Sequence, residues 1–107
     1  SSLNISEEVV ATITQNVIKE INGVHSLSTL PIKYSVLKTP VAKSVRINLA
    51  SDTAQIDLAI VVDMNHKIRS VCEQVQEKVK DEVQNMTGIA VSKVNVYVTG
   101  IHIINEQ

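Results

Sequence analysis

The stretch from Lys67 to Ile103, KIRSVCEQVQEKVKDEVQNMTGIAVSKVNVYVTGIHI, decides the fold because it holds a helix pattern, a stop signal and a strand pattern in succession. Apolar residues recur at spacings of three and four over its first half, which predicts an amphipathic helix with one narrow stripe. Gly88 is placed to end that helix. Valines then alternate with polar residues, which predicts a strand with one apolar side.

The residues outward from this stretch predict three more elements. Apolar spacing of three and four predicts a helix over about 7–22. Strict alternation predicts strands over 44–49 and 54–62, which a polar turn joins as a hairpin. The helix and the strand of the quoted stretch are predicted over about 66–85 and 91–103.

The predicted order α-β-β-α-β indicates an α+β fold in a single domain that spans 1–107. A strand–helix–strand unit crosses over right-handedly, so the last strand should run parallel to the strand before the helix. Each helix has one apolar stripe, and the sheet has one strongly apolar face. Two helices on one face of a three-stranded mixed sheet bury these surfaces in the simplest way.

The other face of the predicted sheet is open, and it is the candidate interaction surface. Its side chains are mostly polar, which is typical of a solvated face, but a tyrosine lies among them. An uncovered face beside two strand edges also suits a partner domain or a second copy of the chain. The candidate interaction residues are Arg46, Asn48, Asp57, Lys93, Asn95, Tyr97 and Thr99.

The segment 25–43 shows no clear period and is punctuated by Pro31 and Pro40. It is predicted to be a connector packed on the domain, in which a short helix or an extra edge strand would fit. The alternative is a mobile interaction loop, because loops often carry function.

Several residues are predicted to cap the helices. Ser6 suits the N-cap of the first helix, and Gly23 suits the left-handed position after its end. Asp63 or Asn65 is the predicted N-cap of the second helix, and Gly88 its C-terminal glycine.

Two packing details follow from the same patterns. Gly100 permits a bulge in the last strand that would swing Ile101 and Ile103 inward. The first helix should bury Val9 with its neighbours. The predicted stripe of the second helix is Ile68, Val71, Cys72, Val75, Val79, Val83 and Met86.

Composition excludes some function classes. The chain has 107 residues, is 44% hydrophobic and 20% charged, and has a formal net charge of −1. A nonspecific polyanion binder needs clustered Lys and Arg, which this balance does not supply. The longest apolar run, 58–62, is far below the about 20 residues of a membrane span, and no signal-peptide pattern is visible. We therefore expect no direct membrane insertion.

No catalytic or metal-binding pattern is recognisable in the sequence. His25, His66 and His102 fall on different elements and lack partners at zinc-site spacing, so no metal, cofactor or catalytic residue is predicted. Cys72, the single cysteine, fits a buried thiol better than a nucleophile. A small-molecule or enzymatic role would require a polar pocket near Cys72 or His66.

RNA binding is the main alternative function. The α-β-β-α-β order is shared with one of the two topologies of KH domains, which bind single-stranded RNA. Such domains clamp the backbone with a GXXG loop, and this chain has no such motif. A sheet that stacks bases needs aromatic residues on adjacent strands, and Tyr97 stands alone. These absences argue against nucleic acid as a partner.

The chain resembles the alkaline shock protein family of Gram-positive bacteria. The matching segments are ISEEVVATIT and EINGVHSL near the start, and the long stretch QIDLAIVVDMNHKIRSVCEQVQEKVKDEVQNMTGIAVSKVNVYVTGI. Together they cover about two-thirds of the chain. Residues 31–39 depart from the small-residue-rich connector typical of the family.

The resemblance implies a non-enzymatic cytoplasmic protein of stress response and cell-envelope homeostasis. It implies self-assembly into a homo-oligomer and, for some members, attachment near the membrane through a separate membrane-anchoring protein. It supplies no catalytic or binding residues. The interaction face therefore rests on the residues alone.

Overall fold

The structure, a computed structural model, describes residues 4–31 and 42–104. Two helices pack on one face of a four-stranded mixed sheet, which confirms the predicted α+β class. The sheet has one strand more than the three predicted. The elements are α1 (Glu7–Ile18), β1 (Val24–Leu27), β2 (Val45–Ala50), β3 (Thr53–Asp63), α2 (Ile68–Thr87) and β4 (Ala90–His102).

Strand β3 is the centre of the sheet. Along one side it pairs in parallel with β4, as the crossover rule predicts. Along the other side it pairs with two antiparallel strands placed end to end. Strand β2 pairs with residues 53–58, and β1 pairs with residues 60–62. Because the hairpin partner covers only half of β3, the rest of its edge is free to pair with β1.

Strand β1 is the correction to the predicted three-stranded sheet. It occupies the start of the segment 25–43, for which an extra edge strand was one of the expectations. The pattern of β1 is too short to predict a strand, and pairing with β3 supplies the hydrogen bonds that make it one. The prediction for residues 32–41 of that segment lies outside the described residues.

The core lies between the sheet and the two helices. Leu58 and its neighbours on the same side of β3 are fully buried, and each such side chain contributes roughly 1.5–3 kcal/mol through burial. The buried helix stripe is narrower than predicted, because three residues at its margins are left uncovered. Val9, Ile68 and Met86 are 47%, 41% and 65% exposed. The helix residues at the centre of the core are Val10, Ile13, Val17, Ile18, Val71, Val75, Val79 and Val83.

The helix ends confirm two predicted caps and overturn one. The backbone N–H of Val9 donates to the Ser6 hydroxyl at 3.3 Å, and Gly88 has a φ of 76° after α2. Helix α1 ends at Ile18, earlier than predicted. The predicted N-cap of α2 is wrong, because Asp63 still belongs to β3 and Lys67 takes the cap position without a side-chain bond.

Two β-bulges alter which residues share a face at one end of the sheet. In β4, Val98 and Gly100 oppose consecutive residues of β3, so Thr99 is the extra residue. In β1 the register shifts at His25. The predicted bulge at Gly100 is therefore present. The predicted burial of Ile101 and Ile103 is wrong, since no described element covers them and they are 51% and 61% exposed.

Candidate functional site

Three of the predicted face residues form a network across the open side of the sheet. Arg46, Asp57 and Asn95 lie side by side on β2, β3 and β4. The Asn95 amide donates to one oxygen of Asp57 at 2.8 Å, and an Arg46 nitrogen lies 3.6 Å from the other. Asp57 is only 5% exposed. These partners satisfy a carboxylate that would otherwise be buried at a cost, so the network supports the sheet.

A second polar contact crosses the same face. The hydroxyl oxygens of Ser28 and Thr99 lie 2.5 Å apart, which links the end of β1 to the bulge of β4. Asn48 and Lys93 are exposed, and Tyr97 is 38% exposed. The structure thus joins Arg46, Asp57 and Asn95 and leaves Asn48, Lys93 and Tyr97 open to contact. Their role in binding stays a prediction.

His25, Asp63 and His102, the His–Asp–His cluster, come together at the end of the sheet where both bulges lie. The Nδ1 atoms of the two histidines each lie 3.3 Å from the same Asp63 oxygen. Their rings stack with centroids 3.7 Å apart and planes 8° apart. Among the described residues this is the group whose donor atoms could hold a metal ion, all within 4.8 Å of one another.

The bulge at Thr99 is what places His102 in this cluster. Successive side chains of a strand point to opposite faces, so a one-residue shift moves every later side chain across the sheet. With the extra residue, His102 is opposite Asp63 on the parallel strand. Without it, Ile101 would take that position. The strand pattern alone therefore places His102 on the wrong face.

The sequence contains no spacing signal for this cluster. Its residues come from three strands, far apart in the chain, and metal motifs are recognised by short spacings on one element. Each histidine by itself has the appearance of a surface residue. Their proximity depends on β1, which was not firmly predicted, and on two bulges.

Cys72 and His66, named for a possible pocket, lie apart from the cluster. Cys72 is partly buried, and burial raises the pKa of its thiol. A raised pKa lowers the thiolate fraction, which disfavours a nucleophilic role. His66 is exposed, and its ring lies beside Gly23.

Exposed apolar side chains occur at both ends of β4. Near its start, a groove of about 450 Å³ lies between the beginning of α1 and the end of α2, and Ile5, Val9, Ile13 and Met86 supply its apolar walls. At its other end, Ile101, Ile103 and Ile104 are 51%, 61% and 56% exposed. A strand of 13 residues separates the two regions by about 40 Å.

Comparison with known proteins gives a family and a fold. Residues 1–103 match the alkaline shock protein 23 family, which is described as having a cell envelope-related function. The uncharacterized protein YloU of Bacillus subtilis is 30% identical over 108 residues, which cover 96% of this chain and 90% of YloU. The uncharacterized protein YqhY of the same organism is 28% identical over 102 residues, covering 92% of this chain and 76% of YqhY.

Among solved structures, the domain is similar to that of MamM-CTD. The TM-score is 0.56 at 14% identity, with 89% of this chain and 99% of that chain covered. A manganese form of a MamM CTD variant has a TM-score of 0.55, also at 14% identity, with 89% and 99% covered. At this identity the likeness concerns the fold alone. Neither described helix has the length and apolar composition that a bilayer crossing requires.

Proposed function

Because the chain belongs to the alkaline shock protein 23 family, whose function is related to the cell envelope, we propose that it acts there as a non-enzymatic protein that binds other proteins. Its first partner is a second copy of itself. A membrane-anchoring protein is a further partner, which would hold the chain near the membrane without inserting it. The observation that carries the proposal is the pair of exposed apolar regions at opposite ends of β4.

The two regions are both apolar, one being a groove and the other a row of exposed isoleucines. We name the groove lined by Ile5, Val9, Ile13 and Met86 the helix groove, and residues Ile101, Ile103 and Ile104 the apolar tail. A tail of one copy placed in the groove of the next buries both. Since the two patches differ, the contact is head to tail, and repeating it forms a chain of subunits rather than a closed dimer.

Burial supplies a moderate driving force. Moving a half-exposed isoleucine out of water is worth roughly 1–1.5 kcal/mol, so the three tail residues contribute about 3–5 kcal/mol. Burial of Val9 and Met86 adds about 2 kcal/mol. Association costs about 4 kcal/mol or more in lost freedom. We therefore expect weak assembly that grows with protein concentration, and the net charge of −1 offers little repulsion against it.

Pairing of two β4 edges is a less favourable arrangement. Gln76 of α2 donates to the Val94 carbonyl at 3.1 Å, and Gln84 accepts from the Val91 N–H at 3.0 Å. These contacts occupy backbone groups in the first half of β4, and a strand added there would compete with them.

Sedimentation of two single variants and their mixture tests the arrangement. Val9→Asp introduces a charge into the groove, and an acidic residue is tolerated there because it lies in the first turn of α1. Ile103→Asp introduces a charge into the tail. Each variant alone should be monomeric at concentrations where the parent chain assembles. An equal mixture should stop at the dimer, because each copy retains one working end.

Gln74→Asp is the matched control, since it adds one negative charge on an exposed part of α2 and should assemble like the parent chain. Dimers formed by Val9→Asp alone would contradict the head-to-tail contact and favour a symmetric one. A parent chain that stays monomeric at millimolar concentration would overturn self-association altogether.

A further inference from the structure

We propose that the His–Asp–His cluster binds a divalent transition metal ion of the zinc type. Such an ion prefers imidazole and carboxylate donors, whereas Mg²⁺ and Ca²⁺ prefer oxygen alone. The cluster offers two nitrogens and one oxygen from His25, His102 and Asp63. This inference is independent of the proposed assembly, because it rests on a set of donor atoms and not on an apolar patch.

The separations between donor atoms fit a tetrahedral ion. With metal–ligand bonds of about 2.0–2.1 Å, two donors on a tetrahedron lie about 3.3 Å apart. Both observed Nδ1–Oδ1 separations, from His25 and from His102 to Asp63, are 3.3 Å. Asp63 is held at the centre by its backbone, which donates to the Gly23 carbonyl at 2.8 Å. The backbone that carries the carboxylate is therefore fixed between β1 and β4.

The Nδ1 atom of His102 gives separate support for a metal ion, because it lacks a hydrogen-bond partner. This atom is also buried. It lies 3.3 Å from Asp63, but the two atoms are not aligned as donor and acceptor, so this approach is a contact rather than a hydrogen bond. A buried polar atom without a partner is costly, and a metal ion at this point would satisfy it.

The stacking of the His25 and His102 rings means that metal binding requires the rings to move. Two parallel imidazoles cannot both direct their Nδ1 lone pairs at one ion, so the rings of His25 and His102 must tilt apart. The side chains have room to do so, since each is 41% exposed, and Asp63 is 28% exposed. The exposure also gives the ion a path in. Three protein ligands leave the fourth position of the ion to water or to a group from a partner.

Titration of the untagged chain with Zn²⁺ by calorimetry is the direct test. We expect one ion per chain, a rise in Tm on adding Zn²⁺, and weaker binding as the pH falls because protons compete for the imidazoles. Replacing Zn²⁺ with Co²⁺ should give the visible absorption of a tetrahedral site. In NMR spectra, the ring signals of His25 and His102 should shift as the stacking is lost.

Variants identify the ligands. His25→Ala, His102→Ala and Asp63→Asn should each weaken Zn²⁺ binding about 100-fold or more, since even supporting residues around a metal change affinity by 10–100-fold. His66→Ala is the control and should bind like the parent chain, because His66 is the remaining histidine and lies outside the cluster. No Zn²⁺ binding at millimolar concentration, or an equal loss in His66→Ala, would overturn the proposal. Circular dichroism of the metal-free variants separates loss of the ligand from loss of the fold.

Discussion

Replacement of Gly23 by alanine tests how tightly the turn between α1 and β1 is packed. Gly23 has a φ of +99°, which costs an alanine about 1–2 kcal/mol. An added Cβ would also lie 2.8 Å from Val71 Cγ2 and 2.9 Å from His66 Nδ1. The exposed His66 ring can move away. Val71 is only 2% exposed in the core, so it cannot move without repacking its neighbours.

The two costs can be separated with a second glycine. Gly88 also has a positive φ, +76°, but a Cβ there meets no heavy atom within 4 Å. Gly88→Ala should therefore cost only the backbone term, about 1 kcal/mol once the reduced freedom of the unfolded chain is counted. Gly23→Ala should cost that amount plus about 1–3 kcal/mol for overpacking. The total for Gly23→Ala is about 2–4 kcal/mol.

Urea unfolding followed by circular dichroism measures both free energies, and thermal unfolding followed in the same way measures Tm. For a chain of this size, Gly23→Ala should lower Tm by roughly 8–16 °C and Gly88→Ala by roughly 4 °C. The slope of unfolding free energy against urea should stay unchanged, because the fold is retained. Equal losses in the two variants would refute the close contact with Val71. A larger loss of unfolding free energy in Gly88→Ala than in Gly23→Ala would contradict the assignment of tighter packing to Gly23.

Two further predictions concern buried polar and titratable groups. Asp57→Ala should lower the free energy of unfolding by about 1–3 kcal/mol, because Arg46 and Asn95 lose their shared acceptor. The control is Asp52→Ala, at an exposed residue, which should change the free energy of unfolding in the same urea experiment by less than about 0.5 kcal/mol. Burial raises the pKa of Cys72, so at neutral pH the folded chain should react with a thiol reagent more slowly than the unfolded chain, and the rate should rise toward alkaline pH. Equal rates for folded and unfolded protein would contradict this assignment.

The outline of the fold could be predicted because its elements have strong local periodicity. The stripe of α2 recurs over 20 residues, and β3 and β4 alternate over most of their length. The parallel pairing of β3 with β4 follows from the general handedness of such connections. Ser6 and Gly88 marked helix ends correctly, since capping depends on residues next to one another in the chain.

The exposure of individual side chains was predicted less well. Val9 and Met86 fit the period of a buried stripe, yet they are 47% and 65% exposed and line the groove between the two helices. The spacing of apolar residues indicates which side of a helix is apolar, but it does not indicate how much of that side the neighbouring elements cover. The same limit applies to Ile101 and Ile103, at and just after the end of β4, which are 51% and 61% exposed.

The sequence by itself determined the class of fold, the crossover and the resemblance to a family, since these depend on local patterns that extend over many residues. Only the tertiary structure decided the placement of His25 beside His102 and Asp63. That placement requires β1 to pair with β3 and two bulges to turn side chains to one face. Gly100 indicated the bulge in β4, but the pairing of β1 and its shift at His25 depend on hydrogen bonds between distant strands, which no residue spacing records.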